Sequence, residues 1–65
     1  MENLRNYLRD NQNFFLVHID GQRAEIVRTY RTPQAAKNGL KCLVGDFAIY
    51  SAPTLARKFP NQFYL

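Results

Sequence analysis

Sixty-five residues make one domain close to the lower size limit for a single core, since so short a chain buries only about 60% of the surface its unfolded form exposes. One cysteine excludes an intrachain disulfide and a Cys-based zinc cage, and no stretch approaches the roughly 20 apolar residues of a membrane-spanning helix. Nine Lys and Arg against five Asp and Glu leave a net charge of +4 and a pI of about 9.6, which points to polyanions as partners.

A lone thiol suits a reducing compartment, and the N-terminus has no apolar run of signal-peptide length. The expectation is a cytoplasmic protein, complete from Met1 to Leu65. There are no repeats, no low-complexity tract and no Pro/Gly/Ser linker, so residues 1–65 are expected to form a single small α+β domain.

Residues 1–12 open the chain. Leu4, Tyr7 and Leu8 fall at i, i+3 and i+4, the spacing of one helical face, while Arg5 and Arg9 lie one turn apart on another. So short a helix does not stand alone in water; it docks, or forms only on binding. Asn11-Gln12-Asn13 then breaks the pattern.

Residues 14–30 are the centre of the sequence. Two runs rich in β-branched and aromatic residues flank Asp20-Gly21, which suits a type I′ turn and predicts a β-hairpin. Closing there pairs Ile19 with Gln22, Val17 with Ala24 and Phe15 with Ile26, six side chains on one nearly apolar face. The opposite face would carry Phe14, Leu16, His18, Arg23, Glu25, Val27 and Thr29, a wettable set. An isolated hairpin is marginal, so its apolar face has to be covered by the rest of the chain.

Thr32-Pro33 starts the main helix: Thr caps it, and Pro has its φ preset at the first helical position. The helix is expected over residues 32–44, with Gly45 as its cap and Ala36, Leu40 and Leu43 as the buried stripe. Gly39 reads as a close-approach point, and Lys37 and Lys41 point outward. Residues 46–50 read as a third strand, residues 51–59 as a last helix stopped by Pro60, and residues 61–65 as an apolar tail. The expected sheet is three-stranded and antiparallel, in the order second, first, third, with the main helix packed across the Phe15/Val17/Ile19 face.

The search for chemistry comes back mostly negative. His18 is the only histidine and Cys42 the only cysteine. They read as a half-buried strand residue and a small core thiol rather than a nucleophile and its base. Asp20, Glu25 and Asp46 do not form an acid/base pair, and no metal-ligand spacing is present. Residues 39–45 are bounded by two glycines, as a phosphate-binding loop is, but Asp46 stands where its Lys is required. The expectation is no enzyme, no cofactor and no metal.

The cations favour binding. His18, Phe14, Arg23 and Arg31 have the parity to share the face opposite the main helix, and Arg28, Lys37 and Lys41 flank it. These seven residues are the candidate nucleic-acid contacts, on a sheet face left open. Arg28 has the parity of the core face and takes part only if that face frays at the strand end.

The hairpin followed by Thr-x-x-Ala-Ala at residues 32–36 is similar to the small AP2-like DNA-binding domains that precede many phage integrases. The likeness covers residues 14–43, and it implies DNA binding through the sheet. Those domains place three strands before the helix, whereas here the third follows it.

The alternative is a protein-binding inhibitor or modulator, since in size the chain is similar to many short phage-encoded proteins that act on host polymerases or defence systems. Tyr30, Tyr50, Phe63, Tyr64 and Leu65 are the candidate protein-interface residues, and a homodimer is expected from the short chain and its apolar end.

Overall fold

A computed structural model describes residues 1–65. The elements are β1 (Glu2–Asn3), α1 (Arg5–Arg9), β2 (Phe14–Asp20), β3 (Arg23–Tyr30), α2 (Pro33–Leu40), β4 (Phe47–Ser51), α3 (Ala52–Lys58) and β5 (Phe63–Tyr64). They form a small α+β structure around a three-stranded antiparallel sheet ordered β3-β2-β4, with β1 and β5 paired in parallel as a separate two-stranded clasp.

The hairpin closes one residue later than Asp20-Gly21. Asp20 pairs with Arg23, so Gly21 and Gln22 are the central turn residues, and Ile19 faces Ala24 rather than Gln22. Of the two, only Gly21 has a positive φ, at +61°. That is the signature of a type II′ turn, in which the first central residue alone needs the left-handed region.

A second departure lies between Leu16 and Val17. Leu16 pairs with Arg28 and Val17 with Ile26, which leaves Val27 without a partner, a β-bulge. The extra residue reverses the alternation beyond it. Arg28 and Tyr30 therefore share the face of Phe14 and Leu16, and Thr29 joins the face of Phe15. The Thr29 hydroxyl donates to Gln12 Oε1 at 3.0 Å, a partner available only on that side.

Both faces of β2 are buried. On one, Phe15 and Val17 pack with Leu4, Ala24, Ala52, Leu55 and Phe63, flanked by Tyr7, Ile19, Ile26, Ala48 and Tyr50. This is the main core, and α1, α3 and β5 cover it. The main helix does not. It meets all three strands from the other side, where Leu16 is 2% exposed and Ala36 is fully buried outside the main cluster. The expected packing of this helix on the Phe15/Val17/Ile19 face is thus reversed. Leu16, placed among wettable residues from the sequence, anchors a second apolar layer with Ile49 and Arg28 as its cross-strand neighbours.

The helix ends are locally determined. Thr32 accepts a hydrogen bond from the Ala35 amide at 3.2 Å, with Pro33 opening the helix. Helix α2 stops at Leu40, not Val44. Cys42 is exposed instead of being a core thiol, Leu43 is 37% exposed and Val44 is 98% exposed. At the other helix, Asn11 takes φ +61°, the Gln12 amide bonds the Tyr7 carbonyl at 3.0 Å and the Asn11 amide bonds the Leu8 carbonyl at 3.1 Å. These two bonds make a Schellman motif, so a five-residue helix ends cleanly and docks through Tyr7, whose ring meets Phe15 edge-on at 5.2 Å.

The two ends of the chain hold one another. The Glu2 amide donates to the Gln62 carbonyl at 2.7 Å and the Leu4 amide to Tyr64 at 2.9 Å. Phe63, a candidate interface residue from the sequence, is 4% exposed and belongs to the chain's own core.

Candidate nucleic-acid interface

The open sheet face on which the sequence reading placed Phe14, His18, Arg23 and Arg31 does not exist, because α2 lies over it. Phe14 is half-buried there. His18 is also half-buried, with its ring 5.1 Å from Phe47 and Glu25 directly across the strand pair. Arg23 is exposed at the turn, opposite Asp20. Arg31 follows the end of β3, eight residues and about 25 Å of strand away from Arg23.

The seven candidate residues therefore divide into two groups. Arg23 and His18 sit at the turn end among carboxylates. The largest concavity wraps the edge of β3 at this end, and Glu2, Asp20 and Glu25 line it together with His18 and Arg23. Three acids facing one arginine make a poor anion site. The second group, Arg28, Arg31, Lys37 and Lys41, is exposed and has no acid within its own stretch of chain, Glu25 and Asp46 lying just outside it. Arg28 belongs to this group without any fraying, because the bulge turns it to the helix side, where its guanidinium lies 6.0 Å from the Tyr30 ring centre.

Residues 26–45 contain those four cations and no Asp or Glu. Elsewhere Arg5, Arg9, Arg23, Arg57 and Lys58 balance Glu2, Asp10, Asp20, Glu25 and Asp46. The whole net charge of +4 is carried by the end of β3, α2 and the loop after it. An acid-free run of twenty residues is visible in the sequence, and it is a better guide than strand parity was.

Helix α2 presents a consistent outer surface. Gln34, Lys37, Asn38 and Lys41 are all exposed, at i, i+3, i+4 and i+7. The Gln34 side-chain amide donates to Asn38 Oδ1 at 3.3 Å. The inner side is held close to the sheet at Gly39, where an added β-carbon would meet the Tyr30 hydroxyl and would stand 2.8 Å from Tyr30 Cζ. Glycine here is a packing requirement: it lets the helix lie on the tyrosine.

Among the candidate protein-interface residues, Tyr30 packs against α2, and Tyr50 lies beside Phe59 with Lys58 Nζ 5.5 Å from its ring centre. Tyr64 and Leu65 stay exposed, at 45% and 38%. The apolar side chain most open to solvent is instead Val44, at 98%, which the sequence reading places at a helix end.

No group of three or more His, Cys, Asp or Glu side chains is placed to hold a metal ion, and no helix is long and apolar enough to cross a membrane. Comparison with protein-family models, curated proteins and solved structures finds no match.

Proposed function

We propose that this is a non-enzymatic, cytoplasmic nucleic-acid-binding protein that contacts phosphates through Arg28, Arg31, Lys37 and Lys41. The observation that supports this reading is the charge of +4 within residues 26–45, four cations without an acid, while the rest of the chain sums to zero. Evenly scattered cations serve solubility, whereas a one-sided excess raises the local concentration of a polyanion and orients it on approach. Arg23 and His18 leave the proposed contact set, because they share their concavity with Glu2, Asp20 and Glu25. Phe14 leaves it because α2 covers it.

The test is an anisotropy titration with mixed nucleic acids at 50 and 200 mM salt. Micromolar binding that weakens strongly with salt, and weakens further in Arg28→Ala/Arg31→Ala, supports the proposal. An absence of binding at 50 mM to duplex DNA, single-stranded DNA and RNA alike removes it.

A second reading rests on a different observation. Val44 is almost completely exposed next to Leu43, an apolar tip at the end of the basic segment. Such a tip is what a protein contact covers, whether a partner that this protein inhibits or a second copy in a homodimer. Salt separates the readings, since an apolar contact barely responds to it. A pull-down whose partner survives nuclease and high salt, and is lost in Val44→Asp, favours the protein-binding reading.

A further inference from the structure

The nucleic-acid reading leaves open which form of nucleic acid the basic surface fits. Single strands are held by aromatic side chains on which bases stack. The basic surface offers none. Tyr64, on β5, is the only aromatic side chain that is exposed, and Tyr30, the one aromatic within residues 26–45, is half-buried against Gly39 beneath α2. What the surface does offer is a helix with a polar and basic outer side.

Resting on that reading, we infer that the ligand is B-form duplex DNA and that α2 enters its major groove, with Gln34 and Asn38 toward the base edges. The dimensions agree: an α-helix with its side chains is about 10–12 Å across, close to the roughly 12 Å width of the groove. The chemistry agrees too. The hydrogen bond from Gln34 Nε2 to Asn38 Oδ1 uses one donor and one acceptor, leaving Gln34 Oε1 free to accept and Asn38 Nδ2 free to donate. Adenine presents the complement in the major groove, an N6 donor beside an N7 acceptor, and Asn and Gln are the side chains that match it.

Lys37 and Lys41 form the adjacent i, i+4 row, placed for the backbone along one groove wall. Arg28, near the end of β3, and Arg31, just after it, would then meet the other. A-form RNA is excluded by shape, since its major groove is too narrow and deep for a helix to read.

The test uses the full chain with one sequence in three forms: a 20-base-pair DNA duplex, its single strand and the matching RNA duplex. Expected is tightest binding to duplex DNA, by about tenfold or more over the single strand. Lys37→Ala/Lys41→Ala should lower the slope of log K against log salt by nearly two. Gln34→Ala/Asn38→Ala should leave that slope unchanged. In selection from a randomised duplex pool, the same double variant should lose about 5- to 100-fold of discrimination at adenine-containing positions. All four side chains are exposed, and matching circular-dichroism melts confirm that the variants fold.

Equal or tighter binding to the single strand or to the RNA duplex overturns this inference and leaves the nucleic-acid proposal standing. So does an unchanged base preference in Gln34→Ala/Asn38→Ala. An absence of binding to all three forms overturns both.

Discussion

Gln62 closes the outer edge of β3 by taking both backbone groups of Ala24. Its Oε1 accepts from the Ala24 amide at 2.8 Å, and its Nε2 donates to the Ala24 carbonyl at 2.9 Å. Ala24 faces Ile19 in the hairpin, and in an antiparallel pair every second residue turns its backbone groups outward. One side chain 38 residues away thus replaces a missing strand and keeps this part of the edge from pairing with another chain.

Removing that amide leaves a partly buried donor and acceptor without protein partners. Gln62→Ala should destabilise by about 1–3 kcal/mol in urea melts. Gln62→Glu should fail to restore stability, since a carboxylate accepts from the Ala24 amide but repels its carbonyl. A glutamate variant as stable as the parent would refute the pairing.

Leu16 marks where the structure has a second layer. Leu16→Ala should cost about 2–5 kcal/mol, as much as a substitution in the main core. In a domain this small that amounts to unfolding at ordinary temperature. A folded, well-dispersed amide spectrum for this variant would mean that α2 is not packed over the sheet.

Glycine 39 gives a test of sign. In an open helix Gly→Ala gains about 1 kcal/mol from propensity. Here the new methyl group meets the Tyr30 ring, so Gly39→Ala should destabilise the parent. In a Tyr30→Ala background the same substitution should become stabilising. Equal effects in the two backgrounds would sever the proposed contact.

How legible these features were in the sequence follows from how local they are. The hairpin, the Thr32-Pro33 helix start and the outward pointing of Lys37 and Lys41 rest on neighbouring residues, and the sequence reading found all three. The turn was misplaced by one residue because Asp-Gly and Gly-Gln both satisfy hairpin chemistry. The bulge at Val27 has no signal of its own: a β-branched residue in a β-rich run reads as ordinary strand. Because that bulge reverses the parity of Arg28, Thr29 and Tyr30, every inference about faces beyond it was inverted.

The side on which α2 packs was missed for another reason. Strand alternation marks the Phe15 face as apolar without saying which helices cover it, and only the packing of Leu4, Leu55 and Phe63 together, from both ends of the chain, decides it. The acid-free run of residues 26–45 is fully legible in the sequence, whereas strand alternation carries no charge signal.

Tyr7 makes a prediction about alkaline pH. Its hydroxyl donates to the Glu2 carboxylate at 2.7 Å. That hydrogen bond, with burial and the carboxylate's charge, pushes the Tyr7 pKa from 10.0 up to about 12. Between pH 10 and 12 the unfolded chain therefore releases a proton that the folded chain keeps. The stabilisation is complete below pH 10 and is lost as pH rises through 12. Thermal melts should place Tyr7→Phe below the parent at pH 8, with the gap narrowing toward pH 12. Two parallel curves would show that the hydroxyl does not stabilise the fold through its protonated form.

The charge distribution makes the sharpest contrast for the binding reading. Arg5, Arg9, Arg57 and Lys58 are exposed cations outside residues 26–45, equal in number to Arg28, Arg31, Lys37 and Lys41 within that segment. Substituting either set of four by Gln lowers the net charge from +4 to zero, so long-range attraction to a polyanion falls equally in both variants. Only direct phosphate contacts distinguish them. The outer variant should keep the parent's slope of log K against log salt, with modestly slower association. The inner variant should lose up to about four units of slope, roughly 0.9 for each phosphate released. Stopped-flow association rates and salt titrations on the same samples separate steering from contact. If the two variants lose the same slope, the binding follows total charge and no surface built by β3 and α2 is involved.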